Sequence, residues 1–193
     1  MTINLSLTFP VDFLWGVATA AHQVEGGDPP NNWTTWEQTP GHIFQDQRAG
    51  KACDWWGGRY EEDFDRAAEL NLNALRLSVE WSRIEPTRGK FNSAALDHYN
   101  RVIAALRQRG MEPMVTLHHF TDPQWIVDLG GWTNPETVRR YERFARLIMD
   151  ELGHGVRMWC TINEPMVYAT QGYLIGQFPP GQRNLKRAYH VAE

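Results

Sequence analysis

The sequence predicts a parallel α/β fold: about four β/α units that make half of a (β/α)8 barrel. Three observations predict it. Short apolar runs alternate with amphipathic helical stretches along the whole chain. Polar groups close each apolar run, as they do where the C-terminal ends of parallel strands open into a site. And no G-x-G-x-x-G or G-x-x-x-x-G-K-[ST] segment is present, although a doubly wound sheet would commonly carry a phosphate loop after its first strand. Four units in 193 residues scale to about 390 for eight, within the range of such barrels. Residues 1–193 are expected to form one domain.

The elements follow in order. Phe13–Ala20 is apolar and reads as a first strand, with His22, Gln23 and Glu25 at its exit. Asn31–Gly50 is rich in Asn, Thr, Pro, Gly and Trp and reads as a long loop, of the kind that serves function. Gly58–Asn71 is a first helix, with Tyr60, Phe64, Ala67 and Ala68 on one side and acidic residues in its early turns, as the helix dipole favours. In the second strand, Ala74–Val79, Leu75, Leu77 and Val79 share one face and Arg76, Ser78 and Glu80 the other. A strand between helices should be apolar on both faces, so Arg76 is expected to enter a polar barrel interior or to meet a buried carboxylate.

Ser93–Arg109 is a second helix with Leu96, Tyr99, Ile103 and Leu106 as its stripe and Gly110 as its stop. Pro113–His119 is the third strand. Asn134 caps a third helix with Pro135 at its first position, and Val138, Tyr141, Ala145, Ile148 and Leu152 form the expected buried face, with Gly153 at its end. Trp159–Ile162 reads as a buried fourth strand, ending in Asn163 and Glu164 before Pro165. Gly172–Arg183 reads as a loop, and Leu185–Glu193 as the opening of a fourth helix.

Composition narrows the function classes. The net charge of −4 supplies no basic run for nucleic acid, and no apolar stretch approaches the roughly 20 residues of a membrane span. Met1–Pro10 shows no signal-like pattern. Cys53 and Cys160 lie far apart, which implies reduced thiols and a cytoplasmic setting. No cysteine and histidine spacing suits a metal, and no cofactor is implied. The 9 Trp, with 6 Tyr and 8 Phe, fit either core packing or a pocket that stacks on sugar rings. A carboxyl at Glu164, partly shielded from water at a strand end, would have a raised pKa and could act as a general acid. An ordinary loop glutamate is the alternative.

The blocks FLWGVATAAHQVEG, LRLSVEWSRIEP, TLHHFTDPQW, GGWTNP and TINEP, in this order from Phe9 to Gly181, together resemble glycoside hydrolase family 1, the β-glucosidase and β-galactosidase family. The resemblance implies a retaining mechanism with two carboxylates. It makes Glu164 the acid/base. Asn163 would hold the sugar 2-hydroxyl and the nearby nucleophile, Gln23 and His119 would bind sugar hydroxyls, and Arg76 would contact the nucleophile carboxylate. Phe120 departs from the tryptophan most members carry there; it keeps an aromatic contact and loses an N–H donor. The family's nucleophile lies in a TENG-type motif, which does not occur in these 193 residues. Glu80 and Glu85 are the local carboxylates, with structural readings of their own: Glu80 as a partner of Arg76, and Glu85 as a loop acid before Pro86. The expected partners are a small β-glycoside and either a complementary C-terminal half-barrel or a second copy. The alternative function is a non-catalytic half-barrel that self-associates or binds sugar.

Overall fold

The computed structural model describes residues 8–27 and 29–193, so most of the Met1–Pro10 stretch lies outside the described residues. Four strands form one parallel sheet in the order β1 (Gly16–Ala18), β2 (Ala74–Ser78), β3 (Glu112–His118) and β4 (Met158–Ile162). Each strand pairs with its neighbour in sequence: Val17 sits opposite Leu75, Arg76 opposite Met114, and Thr116 opposite Cys160. Parallel neighbours need a crossover between them. Helices α3 (Tyr60–Glu69), α5 (Ser93–Gln108) and α7 (Pro135–Leu152) supply these crossovers. This is half of a (β/α)8 barrel.

The core lies between one sheet face and those three helices. Leu75, Leu77, Val115 and Leu117 meet Phe64, Tyr99, Leu106, Phe144 and Ile148 there, all nearly or wholly buried. The helical stripe read for α5 is borne out at Leu96, Tyr99, Ile103 and Leu106. Gly110, in the left-handed region at φ 72°, ends that helix as expected. For α7, the Asn134 side chain accepts from the Glu136 amide at 2.9 Å, and Pro135 occupies the first turn. Its stripe is turned slightly from the expected one: Val138 is 57% exposed and Phe144 is fully buried.

Several expectations are corrected. The first strand is only three residues long, because the aromatic residues before it leave the ladder. There Phe9, Phe13 and Trp15 gather with ring centroids 4.7–4.8 Å apart. The segment after it turns helical as α1 (Ala21–Val24). The long loop contains a helix, α2 (Asn32–Glu37), nucleated by a reciprocal capping box between Asn31 and Thr34. Pro165 opens a helix rather than only closing a strand: α8 (Pro165–Ala169) continues into a π-helical turn over Thr170–Ile175, where an irregular loop was expected from Gly172. The fourth strand is not buried on both faces, since it is an edge and its residues are half-buried or exposed. The last helix, α9 (Leu185–Ala192), is where the sequence places it. Among the described residues no helix is long and apolar enough to cross a membrane.

One buried polar cluster ties the loop after β1 to the helices after β2, where α4 (Trp81–Ile84) follows the strand. Glu25, 4% exposed, accepts from Arg83 Nε at 2.7 Å and from the Tyr99 hydroxyl at 2.7 Å, while the Glu80 amide donates to the Tyr99 oxygen at 2.8 Å. Arg83 also donates to the Gly26 carbonyl and lies over the Trp56 ring at 4.0 Å. Burial pushes the Glu25 carboxyl up to about 7, and the Arg83 charge only partly offsets it. A carboxyl raised on folding binds its proton more tightly in the native state, so its contribution is present below the unfolded value of 4.5 and is lost as pH rises through 7. Denaturation midpoints should therefore fall between pH 4.5 and 7, and Glu25→Gln should flatten that slope. An unchanged slope in the variant would assign the pH dependence to other groups.

Candidate active site

The site lies at the C-terminal edge of the sheet. There β2, β3 and β4 deliver Arg76, His119 and Asn163 side by side. Arg76 donates from Nε to Thr116 Oγ1 at 2.8 Å and from Nη2 to Asn163 Oδ1 at 2.5 Å, and its Nη2 lies 3.8 Å from Cys160 Sγ. Of the two expected destinations, Arg76 takes the polar interior. No salt bridge joins it to a carboxylate among the described residues. Glu80 is not its partner. Glu80 accepts instead from Ser82 Oγ at 2.7 Å and Thr121 Oγ1 at 2.9 Å, which holds it on the turn after β2. Glu85 is indeed a structural loop acid, but a buried one, accepting from Trp81 Nε1 at 3.0 Å and from the Gly89 amide at 2.7 Å.

Arginine can only donate, so the oxygen of Asn163 faces Arg76 and its NH2 faces His119 Nε2, 3.2 Å away. His119 Nε2 then accepts, and the ring proton sits on Nδ1. Burial first, and then the Arg76 charge, lowers the His119 pKa to about 4, so the ring is neutral at neutral pH. Asn163 is 7% exposed and its amide continues the ladder by donating to the His118 carbonyl at 2.9 Å. Its direction is therefore fixed from both ends.

Glu164 follows with φ 44° and ψ 60°, and Phe120, after His119, has φ 68°. Two bulky side chains in the left-handed region flank the cluster. Such backbone costs about 1–3 kcal/mol per residue and persists where its surroundings demand it. The Glu164 carbonyl accepts from the Val167 and Tyr168 amides in the first turn of α8, and its side chain makes no cap bond. Contrary to expectation, Glu164 is exposed, because the sheet ends at β4 and its inner side stands open. Gln23 is exposed on α1 and makes no hydrogen bond to the cluster among the described residues.

Sequence reasoning missed an aromatic wall beside Phe120. Trp33 donates from Nε1 to the Phe120 carbonyl at 3.1 Å, and Asn32 donates to the same oxygen at 3.0 Å. Phe178 lies 5.1 Å from Trp33 and 5.7 Å from Phe120, centroid to centroid. His22 bonds Glu37 at 2.7 Å beneath Trp33. The tryptophan-rich composition of the stretch after Asn31 was the signal available for this wall.

Behind it stands a further buried carboxylate. Asp122, 2% exposed, accepts from His118 Nε2 at 3.1 Å, Trp132 Nε1 at 2.9 Å and the Tyr168 hydroxyl at 2.6 Å. Its amide donates to Asn32 Oδ1 at 2.9 Å. Burial and the Asp122 charge push the Tyr168 hydroxyl well above its ordinary pKa, so it remains a donor. No cluster of three or more potential metal-ligating residues occurs among the described residues.

The model of glycosyl hydrolase family 1 matches residues 5–193. The chain belongs to this family. It is 40% identical over 179 residues to coniferin beta-glucosidase of Pinus contorta, covering 89% of this chain and 35% of that protein. It is 38% identical over 192 residues to beta-glucosidase A of Acetivibrio thermocellus, covering 96% and 43%. Among solved structures, the beta-glucosidase from Thermotoga maritima in complex with castanospermine superposes with a TM-score of 0.90 at 37% identity, covering 95% of this chain and 43% of that one. The chain thus spans about two-fifths of the length of such relatives, as expected of an N-terminal half.

Because Arg76 is bonded only to neutral groups and is half-buried, replacing it should cost little. Arg76→Met is expected to change unfolding free energy by less than about 3 kcal/mol, the upper end of what a hydrogen bond to a charged group contributes. A loss of about 3–5 kcal/mol in chemical denaturation would reveal a buried ionic partner.

Proposed function

We propose that this family 1 chain contributes the acid/base half of a retaining β-glycosidase. The observation that carries the reading is the Arg76–Asn163–His119 hydrogen-bonded line at the strand ends, with Glu164 next to it. In this reading Glu164 protonates the glycosidic oxygen as it leaves and later removes a proton from the attacking water. Asn163 holds the sugar 2-hydroxyl, His119 and Gln23 bind the other hydroxyls, and Phe120 stacks on the ring. Arg76, already aimed into the interior by Thr116 and lacking an acidic partner among the described residues, is the cation that keeps the nucleophile ionised. The nucleophile comes from a polypeptide segment outside these 193 residues and must stand about 5–5.5 Å from Glu164. It attacks the anomeric carbon, forms a glycosyl ester and is released by water.

The substrate class is a small β-glycoside, and a reducing, cytoplasmic setting suits the two free thiols. Residues 1–193 act as one folding unit in this reading. A complementary half-barrel covers the open inner face and pairs with the edges of β1 and β4. Glu164 then loses its exposure and gains the shielding a general acid needs.

The test is an assay of aryl β-glycosides with the chain alone and with a polypeptide carrying the second half of a family 1 barrel. The chain alone should turn over at a trace rate or not at all, and the mixture should be active. In the mixture, Glu164→Gln should lose about 10²–10⁴-fold toward poor leaving groups and less toward activated ones. Equal losses for both leaving groups would remove Glu164 from the acid/base role.

A second reading is supported by exposed apolar groups on and beside an edge strand, Trp15 at 47% and Val17 at 47%. Unpaired edges of this kind invite further strands. In that reading two copies associate through these edges without catalysis. Sedimentation of the chain alone should then show a dimer or larger species, and a stable, well-folded monomer would overturn it.

A further inference from the structure

A cavity of about 360 Å³ opens between α2, α6 (Gln124–Asp128), α8 and the chain near Pro179. It shares no lining residue with the cluster of Arg76, His119, Asn163 and Glu164, nor with Gln23 or Phe120. Asp122 and Tyr168 form its inner wall. Through them it backs onto the elements that carry His119 and Glu164. The volume is in the range of small-molecule sites, which begin at about 300 Å³.

The lining specifies the ligand. Trp36, Tyr168 and Tyr173 provide aromatic surface, and Pro179 and Pro180 extend it. Gly181, at φ 71°, brings the chain so close to Trp36 that an added Cβ would lie 2.7 Å from the indole edge, so the wall is closely fitted there. No Lys, Arg or His lines the cavity, and the charged lining residue is the acidic Asp122. An anion would therefore find no counter-charge and would meet a carboxylate that already accepts three hydrogen bonds. A wholly apolar ligand would leave hydrogen-bonding capacity unused. Gln182 receives Arg187 Nη1 at its Oε1, 2.8 Å away, which leaves its NH2 to donate elsewhere. Thr39 adds a hydroxyl at the rim.

We propose that this cavity is a second carbohydrate site, separate from the reaction centre, which takes a neutral hydroxylated ring such as a glycosyl or aryl glycoside unit. An apolar ring face meets the aromatic walls, and hydroxyls meet Gln182 and Thr39. The proposal does not depend on the role of Glu164, because none of its residues takes part in that chemistry.

The experiment is a titration of the ¹⁵N-labelled full chain with phenyl β-D-glucoside, followed by backbone and indole ¹H–¹⁵N shifts. Saturable shifts are expected at Gly130, Gly131 and the Trp36 indole. Thr39→Trp, which fills the mouth from an exposed position, should weaken the affinity at least tenfold. Asn163→Ala should leave it within twofold, which separates this site from the reaction centre. Glucose 6-phosphate should bind at least tenfold more weakly, a comparison that needs no variant. Three results would overturn the proposal: no saturation at the cavity resonances, saturation confined to the resonances of His119 and Asn163, or equal affinity for the anionic sugar. Failure here would leave the acid/base reading intact, because the hydrolysis assay with the second half reports on Glu164 alone.

Discussion

The structure around the site depends on the buried carboxylate of Asp122. It gathers donors from the end of β3, from Trp132 ahead of α7 and from Tyr168 on α8, and its amide engages Asn32 at the start of α2. A buried charge is tolerated only when its lone pairs are met. Three donors meet those of Asp122. In consequence the loops after three different strands cannot move independently. Phe120 is held by its carbonyl, Glu164 by the first turn of α8, and His119 lies between them.

Two electrostatic environments lie on this frame and they differ in kind. Around Glu25 the charges are paired and enclosed, and burial outweighs the attraction of Arg83. Around Arg76 the partners are a hydroxyl, an amide and a thiol, and the charge is left half-open toward the barrel interior. The first arrangement is self-sufficient and holds loops together. The second is unfinished in the sense that a carboxylate could enter without displacing an existing ion pair. Next to it, a neutral His119 offers a hydrogen-bonding ring without adding a second positive charge.

The strand and helix order was legible because it rests on apolar periodicity and caps, which are local. Asn134 followed by Pro135 marks the start of α7 as clearly in the coordinates as in the sequence. Three things were not legible, each for a physical reason. The helix at Asn32 arises from a capping box within a stretch whose composition suits loops. Shared strand parity points Glu80 toward Arg76, but the chain turns at the end of β2 and delivers the carboxylate to Ser82 and Thr121. Val138 looked apolar and periodic, yet Phe144 sets the rotation of α7 by stacking on Trp81 at 5.0 Å. Of the cluster, Arg76, Asn163 and His119 sit at predicted strand ends and are joined by hydrogen bonds, whereas Trp33 and Phe178 reach it only through tertiary structure.

The strand order β1-β2-β3-β4 has a consequence for biosynthesis. Every strand finds its partner in the segment made just before it, so no strand waits for a distant one to emerge from the ribosome. Ala18 can be joined by Arg76, then Met114, then Met158, with a helix closing over each addition. Sheets that grow in this way can assemble sequentially from the N-terminal side, each strand docking onto the one made before it. Arg76, His119 and Asn163 come together as β4 docks. The polar line at the strand ends is thus completed by the last of the four strands to join the sheet.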